Sequence, residues 1–115
     1  MTLRMKRLKQ QFIEELTQIF RVELKDSRLQ DGFFTLSDME ITSDLSIAKI
    51  YISILKGNQY EIMEALNHSA GFMRTMLGKR LHIRRIPKMT FLLDISFERG
   101  ARLEEKINKL ELDQE

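Results

Sequence analysis

The sequence predicts a two-layer α+β domain, a three-stranded sheet with helices packed on one face. Three observations carry this. Apolar residues recur every three or four positions in two long stretches, one at the N-terminus and one mid-chain. Residues 48–54 and 91–97 alternate apolar and polar in period two instead. Finally, 115 residues supply one hydrophobic core and no more.

Along the chain, Met5, Leu8, Phe12, Leu16, Ile19 and Phe20 form the apolar stripe of a first helix ending near Leu24, with Lys6, Arg7, Gln10 and Glu14 on its other side. Asp26 to Gly32 reads as a polar connection. Phe33 to Thr42 is aromatic and β-branched enough for a strand, but Leu36, Met39 and Ile41 cannot share a face in a regular one, which predicts a bulge or late strand start near Ser37. A turn at Ser43-Asp44-Leu45-Ser46 leads into the clearest strand, with Ala48, Ile50, Ile52 and Ile54 facing inward and Lys49, Tyr51 and Ser53 outward. After Lys56-Gly57-Asn58, a second helical stripe runs from Ile62 to Leu81, and Gly71 near its middle predicts a kink or split. Pro87 ends that region, because proline disfavours helical geometry in the residue before it. Thr90 to Phe97 is the third strand. A short charged helix with Leu103, Ile107 and Leu110 on one side closes the order α-β-β-α(kinked)-β-α. Residues 1–111 form the single domain and 112–115 a frayed acidic tail.

Net charge is only +2, yet the charges are segregated. Between Met1 and Ile13 stand Arg4, Lys6, Arg7 and Lys9 with no acid among them. Between Ala65 and Leu93 stand Arg74, Lys79, Arg80, Arg84, Arg85 and Lys88, again with no Asp or Glu. These ten positive charges against a net of +2 leave −8 on the remainder of the chain. Two cationic surfaces of this kind are the footprint of a polyanion binder. Arginines at 74, 80, 84 and 85 are the stronger phosphate candidates, since a guanidinium contacts phosphate bidentately and stacks on bases. Positive charge at the start of the first helix opposes the helix macrodipole, so it gains nothing for folding and points to function. Tyr51, on the outward face of its strand, is the aromatic best placed to contact a base, whereas Phe72 and the methionines at helical spacing read as core.

Other chemistries find no support in the residues. His68 and His82 stand fourteen apart, without cysteine or a matching carboxylate, so no metal site is expected. Glu14-Glu15 and Glu104-Glu105 are adjacent on helices and diverge, which denies them an acid–base role together. Neither a nucleophile elbow, a phosphate-binding loop nor a dinucleotide turn is present. The expectation is a non-enzyme with no cofactor and no small-molecule substrate. With no apolar run long enough for a membrane helix, no secretory signal and no cysteine, a soluble cytosolic protein is expected.

Several segments together resemble the bacterial ribosome-binding factor A family, which has a type II K-homology (KH) fold. They are Asp26-Ser27-Arg28; Ser43-Asp44-Leu45 with Ala48 to Ser53; Gly71-Phe72-Met73-Arg74 with Leu77-Gly78; Leu81 to Arg84 with Pro87; and Phe91 to Asp94 with Ser96 and Gly100. The match spans nearly the whole chain in order. It implies a non-enzymatic assembly factor that binds the free 30S subunit, assists 16S rRNA maturation at its 5′ end, and matters most in the cold. It also implies that an Ala-x-Gly kink replaces the GxxG loop of ordinary KH domains, here at Ser69, Ala70 and Gly71, with serine at the first position and Ser27 where proline is usual. A monomer suffices for this. A second reading is a protein-docking module using the first helix and the outward sheet face, the basic segments only steering encounter.

Overall fold

A computed structural model describes residues 2–95. The expected C-terminal helix and the acidic tail lie outside the described residues, and the third strand, expected to run to Phe97, ends at Leu93, with residues 94 and 95 no longer in it.

Helix α1 spans Leu3–Val22 and starts where the Thr2 hydroxyl accepts the Met5 N–H at 3.2 Å. Its first turn holds no acid. The helix ends two residues before the expected Leu24, the N–H of Glu23 closing the last turn on the Ile19 carbonyl. Where only a polar connection is expected, Ser27–Gln30 makes one turn of helix, α2. Asp26 caps it, accepting the Arg28 N–H at 2.9 Å while gripping the same residue's guanidinium at 3.1 and 2.8 Å.

Strands β1 (Phe33–Ile41) and β2 (Ile47–Lys56) form an antiparallel hairpin, and β3 (Lys88–Leu93) joins β2 in parallel, giving the order β1-β2-β3. The register shifts between Leu36 and Asp38, which places the bulge at Ser37 as the sequence predicts. That extra residue lets Leu36 and Met39, three apart, face the same core. A parallel partner for β2 requires a crossover, supplied by α3 (Gln59–His68) and α4 (Ala70–Arg80). Gly57 starts it at φ 111°, a left-handed conformation, and a Cβ there would sit 2.8 Å from the Ile62 side chain.

The mid-chain helix is split at Ser69, whose φ of −88° and ψ of 2° leave helical geometry. Gly71 itself lies one residue inside α4. A Cβ there would meet nothing within 4 Å, so close helix packing does not explain this glycine. Gly71→Ala is therefore expected to stabilise the fold by about 0.5–1 kcal/mol through helix propensity, measured as a rise in urea midpoint at unchanged slope.

The core lies between the helices and the inner sheet face. Phe12, Leu16 and Ile19 of α1 share one core with Ala48, Ile50 and Ile52 of β2, all fully buried, and α3 and α4 add Ile62, Leu66, Met73 and Leu77. Phe20 joins two elements, its ring centroid 5.4 Å from that of Phe34 and 6.1 Å from that of Phe91. Asn67 of α3 clamps β3 by accepting the Phe91 N–H at 3.0 Å and donating to its carbonyl at 3.1 Å. Of the apolar stripe of α1, Phe12, Leu16 and Ile19 are committed to this core, whereas Met5 and Leu8 at its N-terminal end stay half-buried. None of the helices of the described residues is long and apolar enough to cross a membrane.

Candidate nucleic-acid interface

Three segments converge at one end of the domain: the N-terminal turns of α1, the β1–β2 turn at residues 42–46, and residues 82–85 between α4 and β3. Between them is an open cleft of about 840 Å³. Arg4 and Arg7 come from one side, Arg84 and Arg85 from the other, and among the described residues no carboxylate lines it. What the sequence presents as two cationic surfaces is here partly one. Leu3, Met5 and Leu8 of α1 face Leu45 and Ile83 across the apolar part.

Local structure fixes each wall. The loop after α4 begins where the Leu81 N–H bonds the Leu77 carbonyl at 2.8 Å, and it ends on buried Pro87. Arg74 holds its far end, Nε donating to the Ile86 carbonyl at 3.1 Å. Arg84 and Arg85 are left exposed between these anchors.

The β1–β2 turn is tied by Asp44, whose Oδ1 accepts from the Thr42 hydroxyl at 2.8 Å, the Ser46 hydroxyl at 2.7 Å and the Ser46 N–H at 3.0 Å. These bonds, led by the Ser46 hydroxyl, hold the Asp44 carboxyl at about 2. Leu45 sits in the middle of the turn at φ 61°, a left-handed conformation costing a non-glycine residue roughly 1–2 kcal/mol.

The Asp26 carboxyl is likewise held at about 2, chiefly by the Arg28 side chain. Both groups are ionised in the folded state at a pH where the unfolded chain, with its value near 3.8, has begun to protonate. Their contribution is complete above about pH 5 and is lost as pH falls through about 2. Acid titration of the urea midpoint should therefore show a decline over that window, flatter in Asp44→Asn than in wild type.

Not every basic residue singled out in the sequence reaches the cleft. Arg80 is engaged elsewhere, one nitrogen 3.3 Å from Glu15 and another 3.1 Å from Glu23, with its side chain only 29% exposed. It ties α4 to α1. Lys9 lies 3.1 Å from Asp38 at the β1 bulge. The other eight of the ten, Arg4, Lys6, Arg7, Arg74, Lys79, Arg84, Arg85 and Lys88, form no ion pair among the described residues. Tyr51 is on the outward sheet face as expected, half-buried. Its surroundings are acidic: partial desolvation first, then Glu40, Asp38 and Asp94 push its hydroxyl upward. The described residues contain no group of three or more His, Cys, Asp or Glu able to hold a metal.

Comparison with known proteins follows the same line. The family model described as ribosome-binding factor A matches residues 4–107. A ribosome-binding factor A from Aromatoleum aromaticum is 39% identical over 109 residues, covering 93% of this chain and 84% of its own. A solution structure of a Thermotoga maritima protein described as a putative ribosome-binding factor A superposes with a TM-score of 0.66 at 31% identity, covering 76% of this chain and 83% of its own. A homology model of the Thermus thermophilus ribosome-binding factor A, fitted into a cryo-EM map of a 30S complex, gives 0.65 at 22% identity, with 77% and 93% covered. The fold expected from the sequence, α+β of type II KH-like topology, is the one these neighbours share.

Proposed function

The chain belongs to the ribosome-binding factor A family, and from that membership together with the arginine cleft we propose that it is an RNA-binding assembly factor of the small ribosomal subunit. It docks on 16S rRNA in the free 30S particle, assists maturation of the rRNA 5′ end, and matters most in the cold, when RNA rearrangements are slow. It acts in the cytoplasm as a monomer, by binding and not by catalysis, without a cofactor. The observation that carries the reading is the gathering of Arg4, Arg7, Arg84 and Arg85 around one cleft that no carboxylate of the described residues lines. Folding does not require such a concentration of like charge, and RNA phosphates neutralise it. The Thermus relative's placement in a 30S complex supports the same partner here.

Arg4, Arg7, Arg84 and Arg85 make the central phosphate contacts in this reading, with exposed Lys6, Lys79 and Lys88 around them. Arg74, Arg80 and Lys9 serve chiefly to hold the surface in shape. A factor that bound immature and mature subunits equally would shift no equilibrium, so its affinity must be higher for the immature or free particle. Sedimentation of purified protein with free small subunits, large subunits and joined ribosomes tests this. Selective co-sedimentation with free small subunits is expected; absence from every particle, or equal presence on all three, overturns the proposal.

A further inference from the structure

We infer that the cleft takes an unpaired RNA nucleotide, its base against the apolar wall and its flanking phosphates on the arginine rim; this rests on the RNA-binding reading above. Double-stranded RNA presents its phosphates on a convex surface, and a protein that reads it by shape needs charge but no apolar recess. Here the charge surrounds a recess. Leu3, Met5 and Leu8 stand opposite Leu45 and Ile83, and the space of about 840 Å³ falls within the roughly 300–1,000 Å³ of sites that enclose small ligands. The imidazole of His82 also lines it and can stack on a base.

Leu45 gives the second, independent observation. A turn residue at φ 61° would ordinarily be glycine or asparagine, yet a leucine is held there by the bonds among Thr42, Asp44 and Ser46. Strain of this kind concentrates at ligand clamps. The strained residue lines the cleft, next to the arginine rim. An extruded base offers both an apolar face for Leu45 and Ile83 and adjoining phosphates for the four arginines. An acidic protein segment would satisfy the rim alone.

The test uses the full chain and two RNA probes of equal length, one a hairpin with a single bulged 2-aminopurine and the other the same hairpin with that base paired. Leu45→Gly is the decisive variant, because glycine suits φ 61° and so removes the strained apolar side chain of the wall without disturbing the turn. Wild type is expected to bind the bulged probe about tenfold more tightly and to change its fluorescence. In Leu45→Gly that preference disappears, while affinity for the paired probe and its salt dependence stay as in wild type. Equal binding of the two probes, or an unaltered preference in the variant, overturns the inference. So does displacement of the bulged probe by a poly-aspartate peptide of comparable affinity, which assigns the cleft to a protein segment. Co-sedimentation with small subunits alongside equal binding of both probes would sink this inference alone; loss of both removes the RNA reading beneath it.

Discussion

Changing Arg84 and Arg85 together to glutamate is expected to weaken binding to small-subunit RNA by on the order of a hundredfold or more, since a charge-assisted contact contributes about 1.5–3 kcal/mol and two are lost. Both residues are exposed and make no ion pair among the described residues, so the fold should be unaffected. Salt makes the result diagnostic. Four cleft arginines neutralising four phosphates of an unpaired strand predict that raising salt from about 50 to 200 mM costs wild type roughly fiftyfold in affinity. In the variant the two new carboxylates offset Arg4 and Arg7, and the dependence should nearly vanish. Fluorescence anisotropy across that salt range measures both quantities. A variant that binds like wild type would dismiss the cleft and move attention to Lys6, Lys79 and Lys88.

Phe91→Ala is expected to cost about 3–5 kcal/mol, against the 5–15 kcal/mol by which domains of this kind are stable. The side chain is 2% exposed and lies at the centre of β3, and its ring meets that of Phe20 from α1. Truncation leaves a void bounded by the helix layer on one side and the sheet on the other, and neither can close on it freely because Asn67 still fixes the strand backbone. Urea unfolding should show a much lower midpoint at an unchanged slope, with RNA binding retained at temperatures where the variant is folded. A loss below about 1 kcal/mol would contradict the packing of α1 across β3.

Most of the fold is legible in residue patterns because most of its elements bury a regular face, although Phe72 of α4, whose spacing reads as core, is exposed. The strand around Ile50 and Ile52 shows pure alternation, and the mismatch between Leu36 and Met39 locates the bulge at Ser37. Helix α2 is invisible, since four residues display no periodicity and its cap depends on Asp26 and Arg28 holding one another. β3 starts at Lys88, two residues before the alternation suggests, because its pairing follows the register of β2.

For the site, segregation of charge is readable along the chain, but the partners of each cation are not. Glu15 and Glu23 lie 65 and 57 residues before Arg80, so an acid-free stretch of sequence gives no hint that one of its four arginine candidates is already engaged. The cleft has the same character. Its walls come from three distant segments, and a leucine with positive φ carries no sequence signal at all.

The parallel pairing of β3 also orders events in time. Residues 42–46 join β1 to β2, so that hairpin can close by itself in about 1–10 μs. The first β2–β3 partners, Ile47 and Lys88, are separated by the whole of α3 and α4, and their meeting waits on both helices and the loop that follows. Chain elongation runs in the same direction. A chain still being synthesised thus holds its hairpin with one edge of β2 unpaired until Phe91 has emerged, and β3 closes that edge only after both crossover helices have been made.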